Sequence, residues 1–182
     1  MPLRKVVFIL VSIMLAVSVS VGACAEVSGL KWGMSRADAV ALLGEPNYED
    51  SEMFQDRFVI EYVDESLLRP DAAVLVLIFK DDALVAYEYS IKDVDTEKVK
   101  FQEMVEELNA RYGESTDDYG PMENLDQATN SQSMTPEEYA YFGIPFEYAV
   151  WKDADGADVV LWWCALADEA ASCLVYLQPG VQ

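Results

Sequence analysis

Two segments, Val74-Leu75-Val76-Leu77-Ile78-Phe79 and Val159-Val160-Leu161-Trp162-Trp163-Cys164-Ala165-Leu166, are apolar at every position instead of every second one. Their length and their β-branched and aromatic content read as strands. A strand with one wet face alternates, whereas an uninterrupted apolar strand needs cover on both sides. The chain must therefore build a sheet whose central strands are enclosed, and the remaining sequence has to supply the layers.

Six strand-like runs are legible, at 57–63, 73–80, 84–92, 146–152, 158–167 and 172–177. Asp81-Asp82, Asp153-Ala154-Asp155-Gly156 and Asp168-Glu169-Ala170-Ala171 carry turn chemistry between neighbours. In the third run Val85, Tyr87, Tyr89 and Ile91 alternate with Ala86, Glu88 and Ser90, which assigns the first set to one apolar face.

Ser35, with Asp38 three residues on, opens a short helix that Gly44-Glu45-Pro46 stops. A second helix, from near Thr96 to Gly113, places Phe101, Met104, Val105, Leu108 and Tyr112 in one stripe. Residues 114–134 are acidic and aperiodic, too long for an ordinary connection, and read as a mobile or binding loop. Thr135-Pro136-Glu137-Glu138 then has the cap, first-turn proline and acids of a helix start, so a short turn over Tyr139 to Phe142 follows.

Residues 30–92 and 96–178 share the order helix, glycine stop, strand, strand, strand, and the stops read alike, as Leu43-Gly44-Glu45 and Tyr112-Gly113-Glu114. A tandem repeat is expected, forming one α+β domain over residues 26–182: an antiparallel β-sheet with both main helices on one face.

Arg4 and Lys5 precede an apolar run that ends in Gly22, Ala23, Cys24 and Ala25, the pattern of a signal peptide over residues 1–25. Two processing routes fit. Ala23-Cys24-Ala25 suits ordinary cleavage before Glu26, giving a soluble periplasmic or secreted protein; Val21-Gly22-Ala23-Cys24 resembles a lipobox, in which Cys24 is lipidated and tethers the chain to the outer membrane. Either route leaves Cys164 and Cys173 alone in an oxidising compartment. An even number there reads as a disulfide across the last hairpin, two buried free thiols being the alternative.

With 12 Lys and Arg against 33 Asp and Glu, the net charge is −21, and His is absent. A polyanion of this kind repels phosphate backbones, which argues against nucleic acid as a partner. Without imidazole there is no Ser-His or Cys-His pair and no His-ligated metal. Glu106-Glu107 are neighbours that do not converge on a helix, so no catalytic residue, cofactor or metal is assigned and the chain reads as a non-enzyme. Asp153, Asp155 and Asp158 lack the spacing of a calcium loop with its distant bidentate Glu, yet they leave an acidic small-ligand or calcium-binding protein as the alternative class.

The opening Leu30-Lys31-Trp32-Gly33-Met34-Ser35, with Leu42-Leu43-Gly44-Glu45-Pro46 and the hairpin Phe79-Lys80-Asp81-Asp82-Ala83-Leu84-Val85, resembles the SmpA/OmlA family of small outer-membrane assembly lipoproteins. The match spans about a third of the chain, and its motifs are caps and turns. A tandem pair of such units is also similar to the secreted β-lactamase inhibitory proteins, which bind their target through a sheet face. The resemblance implies a binding or scaffolding module of the envelope.

Two helices blanket one face of a six-stranded sheet but hardly both. Part of the other face is then expected to be an open apolar surface carrying Trp151 and one of Trp162 or Trp163, a place for an envelope or secreted partner. Tyr119, Tyr139 and Tyr141, interleaved with Glu137 and Glu138, would rim it with negative charge and favour a partner with a basic surface. Alternatively the long loop and short helix close that face into ordinary core, or a second copy of the chain covers it as a homodimer.

Overall fold

The computed structural model describes residues 27, 29–50, 57–117, 135–166 and 169–180. The signal segment, Cys24, Tyr119 and most of the 114–134 stretch fall outside them.

Helix α1, Arg36–Leu43, starts where Ser35 Oγ accepts the Asp38 amide at 3.1 Å and donates to the Asp38 carboxylate at 2.7 Å. Strands β1 (Tyr48–Asp50), β2 (Arg57–Tyr62), β3 (Ala72–Lys80) and β4 (Ala83–Ile91) follow, then α2 (Val99–Tyr112), a short α3 (Pro136–Tyr141), and β5 (Phe146–Ala154), β6 (Ala157–Leu166) and β7 (Glu169–Leu177). All strands pair antiparallel in one sheet ordered β1-β2-β3-β4-β7-β6-β5. The fold is α+β, with seven strands where the sequence showed six; β1 is a three-residue edge strand, Tyr48-Glu49-Asp50, with no apolar pattern to announce it. Strand order is symmetric about the β4–β7 seam once β1 is set aside, while the helices differ, at eight and fourteen residues.

Both main helices stop at glycine because the residue after each must take positive φ: 93° at Gly44 and 91° at Gly113, where each amide still bonds the carbonyl four residues back. At its start α2 is three residues shorter than expected. Lys98 is left-handed (φ 64°), and the Asp95 carboxylate accepts the Val99 and Lys100 amides, so the turn at Thr96 and Glu97 lies outside the helix. Arg69 ties the β2–β3 connection to α2, pairing with Asp71 at 3.0 Å and Glu107 at 3.1 Å.

Alternation resolves the two uninterrupted runs into two cores. Leu75, Leu77 and Phe79 of β3 and Val159, Leu161 and Trp163 of β6 join Tyr87, Tyr89, Trp151, Leu174 and Tyr176 in a large cluster beneath α1 and α2, to which Ala39, Phe101, Met104 and Leu108 contribute. Val76, Ile78 and Val160 instead join Val59, Val150, Val175 and Leu177 on the second face, in a cluster to which no described helix residue belongs. One sequence assignment changes: Val85 belongs to the second cluster and Leu84 to the first. The cause is a bulge that shifts the β3–β4 register between Ile78 and Phe79.

Candidate interaction surface

Each tryptophan's surroundings decide whether it is core or contact. Trp151 is 3% exposed, and its indole N–H donates to Gly113 O at 3.0 Å and to Asn109 Oδ1 at 3.1 Å. Trp163 is equally enclosed and donates to Asp95 O at 3.0 Å, with the Lys98 ammonium over its ring. Both therefore lie under α2 and do not reach the open face expected to carry them: burial with a satisfied N–H makes them core anchors. Trp162, one residue out of phase with Trp163, projects from the second face and is half-buried.

Trp162 has aromatic company. It pairs across the strands with Tyr148, which lies 6.0 Å from Phe146, and Phe146 is stacked on Tyr139 of α3 at 4.3 Å with the rings within 5° of parallel. Helix α3 is held in place by a capping box: Thr135 Oγ1 accepts the Glu138 amide, and the Glu138 carboxylate accepts the Thr135 amide at 2.8 Å. Its inner side chain, Tyr139, is thus fixed on the sheet. Its outer end presents Tyr141 and Phe142, 84% and 64% exposed and packed edge to face at 5.2 Å, above the exposed Glu137 and Glu138. Of the six aromatic residues singled out from the sequence, Tyr139, Tyr141 and Trp162 belong to this surface, Trp151 and Trp163 do not, and Tyr119 lies outside the described residues. Phe142, Phe146 and Tyr148 were missed; their only signal was an aromatic residue at every second place from 142 to 148, interrupted at Ile144.

Behind the aromatics the second face is floored by valines. Val160 and Val175 have no exposed surface, while Glu61, Glu88, Val74 and Ser90 are half-exposed among them. Glu88 lies between Val76 on β3 and Val175 on β7. Burial among these side chains, with the Glu61 carboxylate adding repulsion, pushes its pKa up to about 7.

Cys164 and Cys173 share this face, and both are free thiols. The expected Cys164–Cys173 disulfide is absent from this structure, in which Cys173 pairs with Trp162 and Cys164 with Ala171, so that the two thiols are diagonal neighbours on one face. Burial raises the pKa of both thiols, most strongly at Cys173, where Glu88 adds to the effect.

The aspartates of the β5–β6 turn are engaged locally. Asp158 accepts the Asp153 amide at 3.0 Å and Asp155 pairs with Arg111 at 3.5 Å, leaving no group of three metal-ligating residues among the described residues. Among them, too, no helix is long and apolar enough to cross a membrane.

Comparison of the chain with family models, with curated proteins and with solved structures gives no match, so the likeness of residues 30–91 to the SmpA/OmlA family rests on the motifs of that segment alone.

Proposed function

We propose that the chain is an exported, non-catalytic protein-binding module of the bacterial cell envelope. It takes its partner on the aromatic surface where α3 meets the second sheet face. The observation that carries this reading is the pair Tyr141 and Phe142, held exposed on a doubly capped helix whose opposite side is stacked on Phe146. Two large side chains that contribute little to the chain's own core are what a partner's pocket takes up, and aromatic anchors dominate such contacts. The glutamates beside them favour a partner with a basic surface. Export follows from the Arg4-Lys5 and apolar N-terminal pattern; a tether at Cys24 would make the partner an outer-membrane protein, and a soluble form suits an inhibitor or adaptor.

The test is site-specific photo-crosslinking in the native host, with the reactive group at Tyr141, at Trp162, or at the α2 residue Glu106 as a control. One common adduct from the first two positions and none from the third is expected. Equal labelling from all three positions, or none from any, rejects the reading.

A further inference from the structure

The first residues of a domain fray unless something ties them down. Here the chain is core from its first described residue. Val27 is 5% exposed, Leu30 has no exposed surface, and the Leu30 amide donates to Val27 O at 3.2 Å. Trp32 is stacked on Tyr87 at 5.7 Å, and its indole N–H donates to Gly156 O in the β5–β6 turn at 2.8 Å. The Gly33 amide donates to Leu84 O and the Leu84 amide to Met34 O, at 2.9 Å each, which fastens the same stretch to β4. Gly29 takes positive φ (90°) and lies so close to α1 that a Cβ there would meet Leu42 Cδ1 at 3.1 Å. With α1, β4 and the β5–β6 turn all holding this stretch, a free tether can begin only before Val27.

Only Ala25 and Glu26 separate Val27 from Cys24. That short connection reaches about 10 Å when fully extended. A lipidated Cys24 sits at the base of the headgroup layer, about 5–7 Å thick on each side of a bilayer, so most of the reach goes into clearing it. The folded end of the domain would then rest on the headgroups. Residues 26–182 hold all 33 acidic side chains, while the cations Arg4 and Lys5 belong to the signal segment, and a body so charged is repelled by a partly anionic lipid surface within a Debye length. From this geometry we infer that the chain is cut between Ala25 and Glu26, carries no lipid at Cys24, and acts as a freely diffusing protein. The host's signal peptidase adds water across the Ala25–Glu26 peptide bond, leaving a carboxylate on Ala25 and an α-amine on Glu26. The small residues Ala23 and Ala25 suit that cut, which leaves one residue, Glu26, ahead of the core. In this the chain departs from the lipoproteins that its opening resembles. Its partner is then met by diffusion, and the net negative charge steers that encounter toward a basic surface.

The inference rests on the export proposed above, and its test separates the two. The protein is extracted with detergent from whole cells and medium of its native host, so that a lipidated form is retained, and weighed intact beside a Cys24→Ala variant. A chain beginning at unmodified Glu26 is expected, with the same mature mass from the variant, because residue 24 leaves with the signal. A mass that begins at Cys24 and carries a diacylglyceryl group overturns the inference, while export and the aromatic surface stand with an outer-membrane partner. A first residue elsewhere beyond the apolar run, or a variant whose mature mass is shifted, overturns the assigned cut. A chain that keeps Met1 overturns the inference and the export reading together.

Discussion

Glu61 and Glu88 face each other across Val76 on the side of the sheet away from α1 and α2, two acids at one register level in a row that runs from Tyr48 on β1 to the valines at 175, 160 and 150. The relationship has a consequence for stability in the free protein. Glu88 is held at about 7 in the folded chain, against 4.5 as its ordinary value. A folded-state pKa above the unfolded one means that the native state binds the proton more tightly, so the contribution of Glu88 to stability is fully present below about pH 4.5 and is lost as pH rises through 7. The loss is at most about 3.5 kcal/mol, at about 1.4 kcal/mol for each pH unit between 4.5 and 7. Glu88→Gln should remove it: urea melts at pH 5 and pH 8 are expected to differ less for the variant, which is the more stable of the two proteins at pH 8. A variant less stable than the parent at pH 8 contradicts the arrangement.

Asp95 acts in the opposite direction. Its carboxylate accepts the Lys100 and Val99 amides at 3.0 Å each, and those bonds hold its pKa below the usual carboxylate range. A depressed folded-state pKa gives stability that is present above the unfolded value and is lost as pH falls through the folded one. Its carbonyl also accepts the Trp163 indole N–H, so the cap couples the start of α2 to the core. Asp95→Ala is expected to lower the melting temperature at pH 7 and to lose part of the parent's acid-side decline. Equal melting at pH 7 would show that the Lys98 turn closes α2 unaided.

How far these features were legible depends on whether phase could be read. Tyr87 and Tyr89 sit on the face that their alternation assigned, because Glu88 and Ser90 break the apolar pattern between them. In Trp162-Trp163-Cys164 no polar residue marks a face, and only pairing with β5 and β7 decides which tryptophan points inward. The same gap hid the Glu61 and Glu88 pair, since two residues 27 apart meet only through the β2–β3–β4 register. Caps were the most transparent signals: Ser35 and Thr135 both act as their sequences suggest, each within four residues of its partner. The start of α2 was less so, because a left-handed lysine has no sequence signature.

The tryptophans should separate by role. Trp163→Ala and Trp151→Ala each remove a buried ring with a bonded N–H and should cost about 3–5 kcal/mol in urea denaturation. Trp162→Ala, on the half-buried position beside Tyr148, should cost about 1 kcal/mol yet abolish the photo-crosslink formed from Tyr141. A large stability loss at Trp162 with an unchanged crosslink would move that residue into the core and leave α3 alone as the contact.

The thiols offer an independent reading of the second face. Burial raises both above their ordinary range, so little thiolate exists at neutral pH and alkylation is slow. Cys164, half-exposed and beside Phe146 on the outer side of β6, should react with iodoacetamide before Cys173, which lies inside the valine cluster beside Glu88. Raising the pH should speed Cys164 first, whereas Cys173 should wait for unfolding. Mass spectrometry of the native protein under alkylation therefore expects one adduct, at Cys164, and a second only in denaturant. Simultaneous labelling of both thiols in the native state would mean that the second face opens as a unit, and a native mass two hydrogens light would mean that β6 and β7 shift to bring the diagonal sulfurs together.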